Sequence, residues 1–121
     1  MSVFALHAGD ECCDLITIGR RTGKLRQVEI WFGVIDDVLY LISGGGDSAD
    51  WYRNACASGT ATVVFGEQHV DCVVRQVADA DERRRVGELM GAKYVWEGDP
   101  SIGLTSDAWC FEVPALALER R

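Results

Sequence analysis

Arg20, Arg21, Lys24 and Arg26 place four cations within seven residues of a 121-residue chain that otherwise sets eight cations against nineteen carboxylates. Long-range repulsion keeps anions away from most of such a surface, so a basic island in it reads as the seat of an anionic ligand. Guanidinium forks match phosphate and carboxylate oxygens bidentately, and charge-assisted contacts of this kind are about twice as strong as neutral hydrogen bonds. The segment Gly19-Arg20-Arg21-Thr22-Gly23-Lys24-Leu25-Arg26 also reads as a solvated turn. Residue types alone leave both readings open.

A second candidate is the run Gly44-Gly45-Gly46. Glycines after a strand leave amides exposed and no Cβ in the way, which suits a flat ring or an anion, although glycine runs are also common turn punctuation. Trp31 and Trp51 serve equally as core aromatics or as ring contacts, and Asp50 as a helix cap or a ligand group. The chain has no serine nucleophile elbow, phosphate-binding Walker loop or dinucleotide fingerprint. His7 and His69 are far apart and lack partners at metal-ligand spacing, so no metal is expected.

The elements that must position these residues are mostly strands. Asp14–Arg20 alternates apolar and polar side chains and is rich in β-branched residues, predicting a strand with one buried face. Gln27–Val34 and Val38–Ser43 predict two more strands, joined by a turn at Asp36-Asp37. A short helix follows from Ser48 or Asp50 to about Ala57. Thr60–Phe65 and His69–Val77 form a hairpin around Gly66-Glu67, Asp79 or Asp81 opens a helix to about Lys93, and Trp109–Leu118 is the last strand. Arg83, Arg84 and Arg85 read as mostly solvated on the second helix.

Six strands joined by hairpins, with two helices, predict an antiparallel sheet whose open edges are costly unless it curls into a small barrel. The length and the 48% hydrophobic composition fit one domain. A net charge of −7 argues against generic nucleic-acid binding, which needs a broad basic face. Five cysteines without C-x-x-C spacing read as reduced thiols. No basic leader with a long apolar run is visible, and no apolar stretch approaches the roughly 20 residues that cross a bilayer, which places the protein in the cytoplasm.

The text Ile16 to Arg26, then Ile30-Trp31-Phe32, Leu39 to Gly45 and Asp50-Trp51-Tyr52-Arg53-Asn54 resembles the deazaflavin-dependent nitroreductases, a group of flavin-binding split barrels related to pyridoxamine phosphate oxidase. The resemblance covers Leu15 to Phe65 well and thins toward the C-terminus. It implies a six-stranded antiparallel split β-barrel, mainly β with two helices, that binds coenzyme F420 and transfers hydride to quinones, nitro compounds or similar small acceptors. It further implies that Arg20, Arg21, Thr22 and Arg26 hold the cofactor's phosphate and tail, with Lys24 as an outer cation. Ile30, Trp31 and Phe32 would line the ring, Ser43, Gly44 and Gly45 would let backbone approach it, and Asp50, Trp51, Tyr52 and Asn54 would close the pocket.

Tyr94, with Trp96 close by, falls where such proteins place substrate-facing aromatics. Its phenol could donate a hydrogen bond or proton to the acceptor, or both aromatics could simply pack. The split-barrel resemblance also implies a homodimer. Two alternatives accompany the F420 reading: a barrel that binds FMN, and a cofactor-less dimeric binding module.

Overall fold

Trp31 and Phe32 carry the chain from one edge of a sheet to the opposite edge. The computed structural model describes residues 2–121. In chain order its strands are β1 (Cys13–Ile18), β2 (Leu25–Ile30), β3 (Gly33–Ile35), β4 (Val38–Ile42), β5 (Thr60–Phe65), β6 (Gln68–Gln76), β7 (Gly98–Asp99), β8 (Leu104–Thr105) and β9 (Ala115–Arg120). Its helices are α1 (Val3–Leu6), α2 (Asp50–Ser58), α3 (Ala80–Lys93) and α4 (Ser106–Phe111). Seven strands form one sheet in the order β2-β1-β5-β6-β9-β4-β3, while β7 and β8 pair with each other.

All pairings are antiparallel. The end strands β2 and β3 are therefore farthest apart in the sheet yet separated in sequence only by Trp31 and Phe32. Flattened, the sheet would hold those edges roughly 29 Å apart at the usual interstrand spacing. The chain from Ile30 to Gly33 reaches at most roughly 11 Å. The sheet must curl until its edges nearly meet, which gives a split barrel with its seam between β2 and β3.

Two cores result. Inside the barrel lie Leu15, Leu39, Leu41, Val63, Cys72, Leu116 and Leu118, with Phe4 of α1 and Phe32 and Phe65 filling one end. Outside it, Tyr40, Ile42, Ala115 and Ala117 are covered by Val86 and Met90 of α3 and by Trp109 and Cys110 of α4. β4 and β9 are thus buried on both faces, which explains their nearly continuous apolar text. Each fully buried leucine contributes about 1.5–3 kcal/mol. Gly87 lets α4 cross α3 closely, since a Cβ there would lie 2.4 Å from the Cys110 carbonyl oxygen.

Several expectations hold. The Asp36-Asp37 turn carries positive φ at both residues, as a tight hairpin turn requires. The Asp79 side chain caps α3 by accepting from the Glu82 amide. Others need correction. The strand expected over Gln27–Val34 is two strands, broken at the Trp31-Phe32 crossing. The strand expected from Trp109 starts at Ala115, because Trp109, Cys110 and Phe111 belong to α4, whose N-terminus Thr105 caps through the Ala108 amide at 3.0 Å.

A short apolar run does not separate strand from helix by periodicity; the Thr105-Ser106-Asp107 start signal was the discriminating text. Among the described residues the sheet therefore has seven strands instead of six, and there are four α-helices instead of two. Neither Ser48 nor Asp50 caps α2, whose N-cap position is Ala49 without a side-chain bond. Arg83 is not solvated: its guanidinium donates to the carbonyls of Trp109, Cys110 and Val113, satisfying groups that the end of α4 leaves unpaired. No helix of the described residues is long and apolar enough to cross a membrane.

α3 is tied to the barrel by Glu82, which accepts two hydrogen bonds from Arg75 of β6 at 2.7 Å and one from the Tyr40 hydroxyl of β4 at 2.6 Å. Hydrogen bonds from Arg75 and Tyr40 hold the Glu82 carboxyl at about 2, below its ordinary 4.5. A depressed carboxyl stabilises the fold fully above its unfolded value and ceases to do so as pH falls through its folded value. Stability should therefore decline between roughly pH 4.5 and 2. Glu82→Gln should flatten that decline and cost about 1–3 kcal/mol at neutral pH, toward the low end because Arg75 is half open to screening solvent. Chemical denaturation across a pH series checks both; an unchanged acid limb would remove Glu82 from the account.

Candidate functional site

The turn between β1 and β2 is built by Gly19 and Gly23. The Gly19 amide donates to the Lys24 carbonyl at 2.8 Å and the Gly23 amide to the Gly19 carbonyl at 2.8 Å. Gly23 takes φ +72°, a region open to glycine at no steric cost. The Thr22 hydroxyl accepts from the Lys24 amide at 3.2 Å. The turn stands beside the first turns of α2, and between them lies a cleft of about 710 Å³, within the size range of small-molecule sites.

The four cations of the turn separate by partner. Arg20 is folded onto α2: its backbone amide and Nη1 both donate to Asn54 Oδ1, at 3.1 and 2.7 Å, and Nη2 pairs with Asp50 at 3.2 Å. Asn54 is buried at 4% exposure, so these bonds anchor the turn to the helix. Arg21 and Arg26 line the cleft with no carboxylate or hydrogen-bonding partner among the described residues. Thr22, Asp50, Trp51 and Asn54 also border it, as do Gly19, Leu25, Gln27 and Val28. β2 pairs only with β1 in the sheet, so its other edge offers unpaired backbone groups along the seam.

Ile30 and Trp31 do not reach this cleft. They line a second one of about 280 Å³, together with Cys12, Glu29, Ile42 and Trp109. Trp31 stacks on Tyr94 with ring centroids 4.2 Å apart and planes 4° from parallel, and meets Trp96 and Trp109 edge-on at 5.8 and 5.7 Å. Burial pushes the Cys12 thiol up from its ordinary value, and the Glu29 carboxylate beside it adds to the effect. Cys12 thus stays a neutral thiol and is not poised as a nucleophile.

The remaining expected residues lie in neither cleft. Phe32 is fully buried in the barrel, because alternation along the crossing sends Trp31 outward and Phe32 inward. Tyr52 is buried at 8% exposure and its hydroxyl accepts from Gln76 at 3.3 Å. Ser43 is buried and its hydroxyl donates to the Gly46 carbonyl at 2.6 Å. Space beside Gly44 is taken by Leu104 and Trp109, and beside Gly45 by Ala49. Neither glycine borders the two clefts.

Tyr94, expected to face an acceptor, is 7% exposed with its hydroxyl committed to backbone. It donates to the Glu11 carbonyl at 2.5 Å and accepts from the Phe32 amide at 3.2 Å. Lys93 Nζ donates to the Phe32 carbonyl at 2.9 Å and lies 3.8 Å from the centre of the Phe32 ring. The end of α3 therefore clamps the crossing that closes the barrel. Sequence reasoning does not single out the cleft-lining Trp109, whose text reads as strand, or Cys12 and Glu29, because single polar residues carry no spacing signal.

The family model described as "Uncharacterized protein conserved in bacteria (DUF2255)" matches residues 13–108. No curated protein matches the sequence. Among solved structures, a conserved hypothetical protein of Mycobacterium tuberculosis superposes with a TM-score of 0.76 at 16% identity, covering 100% of this chain and 81% of that one. An F420-H2 dependent reductase gives 0.67 at 22% identity, covering 91% and 95%. A protein described as a candidate pyridoxamine 5'-phosphate oxidase of Listeria innocua gives 0.70 at 12%, covering 98% and 90%. At these identities the likeness establishes the split-barrel fold and leaves the chemistry to the site.

Removal of the Tyr94 hydroxyl leaves the Phe32 amide buried without its partner. Tyr94→Phe should cost about 1–3 kcal/mol of stability and lower the thermal midpoint. An unaltered midpoint would mean that the hydroxyl does not hold the crossing.

Proposed function

We propose that this chain, which belongs to the DUF2255 family, is a split-barrel oxidoreductase that binds coenzyme F420 and passes hydride to a small acceptor such as a quinone or nitro compound. The observation that supports it best is the pair Arg21 and Arg26, two guanidiniums without carboxylate partners on a cleft of about 710 Å³ in a chain of net charge −7. An uncompensated cation pair in such a field is stabilised by an anion. The resemblance of the turn and its flanking strands to deazaflavin-dependent nitroreductases gives the anion a candidate identity.

When bound, the deazaflavin supplies the hydride, so the protein needs no nucleophile of its own. In this reading Arg21 and Arg26 bind the cofactor's phosphate and Lys24 adds an outer charge. Arg20, held by Asn54 and Asp50, keeps the turn at a fixed distance from α2, and Thr22 fixes the conformation of the turn. Trp51 gives the cleft an aromatic wall. Tyr94 and Lys93 act through the crossing they clamp.

FMN is the second reading, and one observation favours it. Two unpaired guanidiniums are matched to a single phosphate, whereas the extended anionic tail that F420 carries needs further cations, and Arg20 on the same cleft is already paired with Asp50. Fluorescence titration with F420 and with FMN decides between them. Arg26→Ala should weaken the preferred cofactor by about 1.5–3 kcal/mol, and binding should weaken with salt. Equal affinity in a folded Arg26→Ala protein would refute the anion assignment, and no binding of either cofactor would favour the binding-module reading.

The proposal includes a homodimer. Leu25 of β2 and Ile18 of β1 sit opposite one another on the outer face of the barrel, 71% and 43% exposed, and Val73 of β6 is 50% exposed. An apolar sheet face of this kind is a docking surface, and a second copy would cover it by two-fold symmetry. Light scattering should give about twice the 13.3 kDa chain mass; a monomer at micromolar concentration would contradict the dimer.

A further inference from the structure

The second cleft has the opposite electrostatic character to the first. Its six lining residues are Cys12, Glu29, Ile30, Trp31, Ile42 and Trp109, and its only ionisable side chains are a carboxylate and a neutral thiol. Among the described residues Glu29 has no lysine, arginine or histidine within ion-pair distance. Three residues before it on the same strand, Arg26 belongs to the basic cleft, roughly 10 Å away along an extended strand. β2 therefore carries an unpaired cation toward one end and an unpaired anion toward the other.

Two indoles complete the second cleft. Tryptophan is the best partner for a cation over its ring face, and the attraction grows when the pair is shielded from water. Trp109 is buried at 6% exposure and Trp31 is half-buried with one face covered by Tyr94, so the part of each indole that reaches the cleft is fixed before a ligand arrives. Ile30 and Ile42 give the floor apolar contacts. At about 280 Å³ the cleft lies at the small end of ligand sites and admits a single ring with its substituents.

We infer that the Glu29–Trp31–Trp109 cleft binds a small planar organic cation, with Glu29 neutralising the charge, Trp31 packing on the ring and the buried Trp109 backing the wall. The inference does not rest on the preceding reading, because a cation is a ligand distinct from the neutral quinone or nitro acceptor proposed there. Its binding needs no cofactor and is tested without one.

The probes are 1-methylnicotinamide, nicotinamide and nicotinate, which share a ring and differ in charge. Titrations follow tryptophan fluorescence and the indole N–H resonances, of which the four tryptophans give one each. The methylated cation should bind at least about tenfold more tightly than nicotinate and should move two of the four indole resonances. Glu29→Gln should weaken the cation by about tenfold and leave neutral nicotinamide unchanged. Glu67→Gln, which removes the same charge from an exposed turn, should have no effect. The inference is overturned if the cation fails to saturate in the millimolar range, if nicotinate binds as well, or if Glu29→Gln and Glu67→Gln behave alike. Cation selectivity without F420 or FMN binding would remove the cofactor reading and keep this site; cofactor binding without cation selectivity would remove this site alone.

Discussion

The Trp31-Phe32 crossing is the constraint on which the rest of the molecule depends. A two-residue link between the outermost strands of a seven-stranded sheet cannot be satisfied by an open sheet, so curvature follows from chain length alone. Alternation then assigns the two residues to different cores: Phe32 enters the barrel, and Trp31 joins the aromatic layer under α3 and α4. Because the crossing is neither helix nor ladder, its backbone groups need other partners. Tyr94 and Lys93 supply them from the end of α3.

Both clefts follow from the same closure. The seam leaves β2 with a free edge, and a free edge is where a barrel can present backbone and side chains to a ligand without opening its core. The basic turn at one end of β2 is held against α2 by Arg20 and Asn54, which leaves Arg21 and Arg26 uncompensated. At the other end, the aromatic packing that secures the crossing also forms the wall beside Glu29. Structural clamp and candidate site share residues, so substitutions at Trp31 or Trp109 would disturb both. Glu29, Arg21 and Arg26 are exposed and can be changed with less effect on the core.

The sequence by itself determined strands β1, β4, β5 and β6, the tight turns at Asp36-Asp37 and Gly66-Glu67, the Asp79 cap of α3 and the concentration of cations at the first turn. Those are local signals: side-chain alternation, turn chemistry, capping and charge clustering act within a few residues. Residue types leave the basic turn open to both readings, anion site and solvated turn, and the fold gathers Asp50, Trp51 and Asn54 beside it. Only the tertiary structure decided which cations are free, because pairing of Arg20 with Asn54 spans 34 residues. It also decided that Phe32, Tyr52 and Ser43 are buried, that Tyr94 binds backbone across 83 residues, and that Trp109 lies on a helix beside Glu29. These outcomes depend on which surfaces meet when the sheet closes, and no local pattern in the chain encodes that meeting.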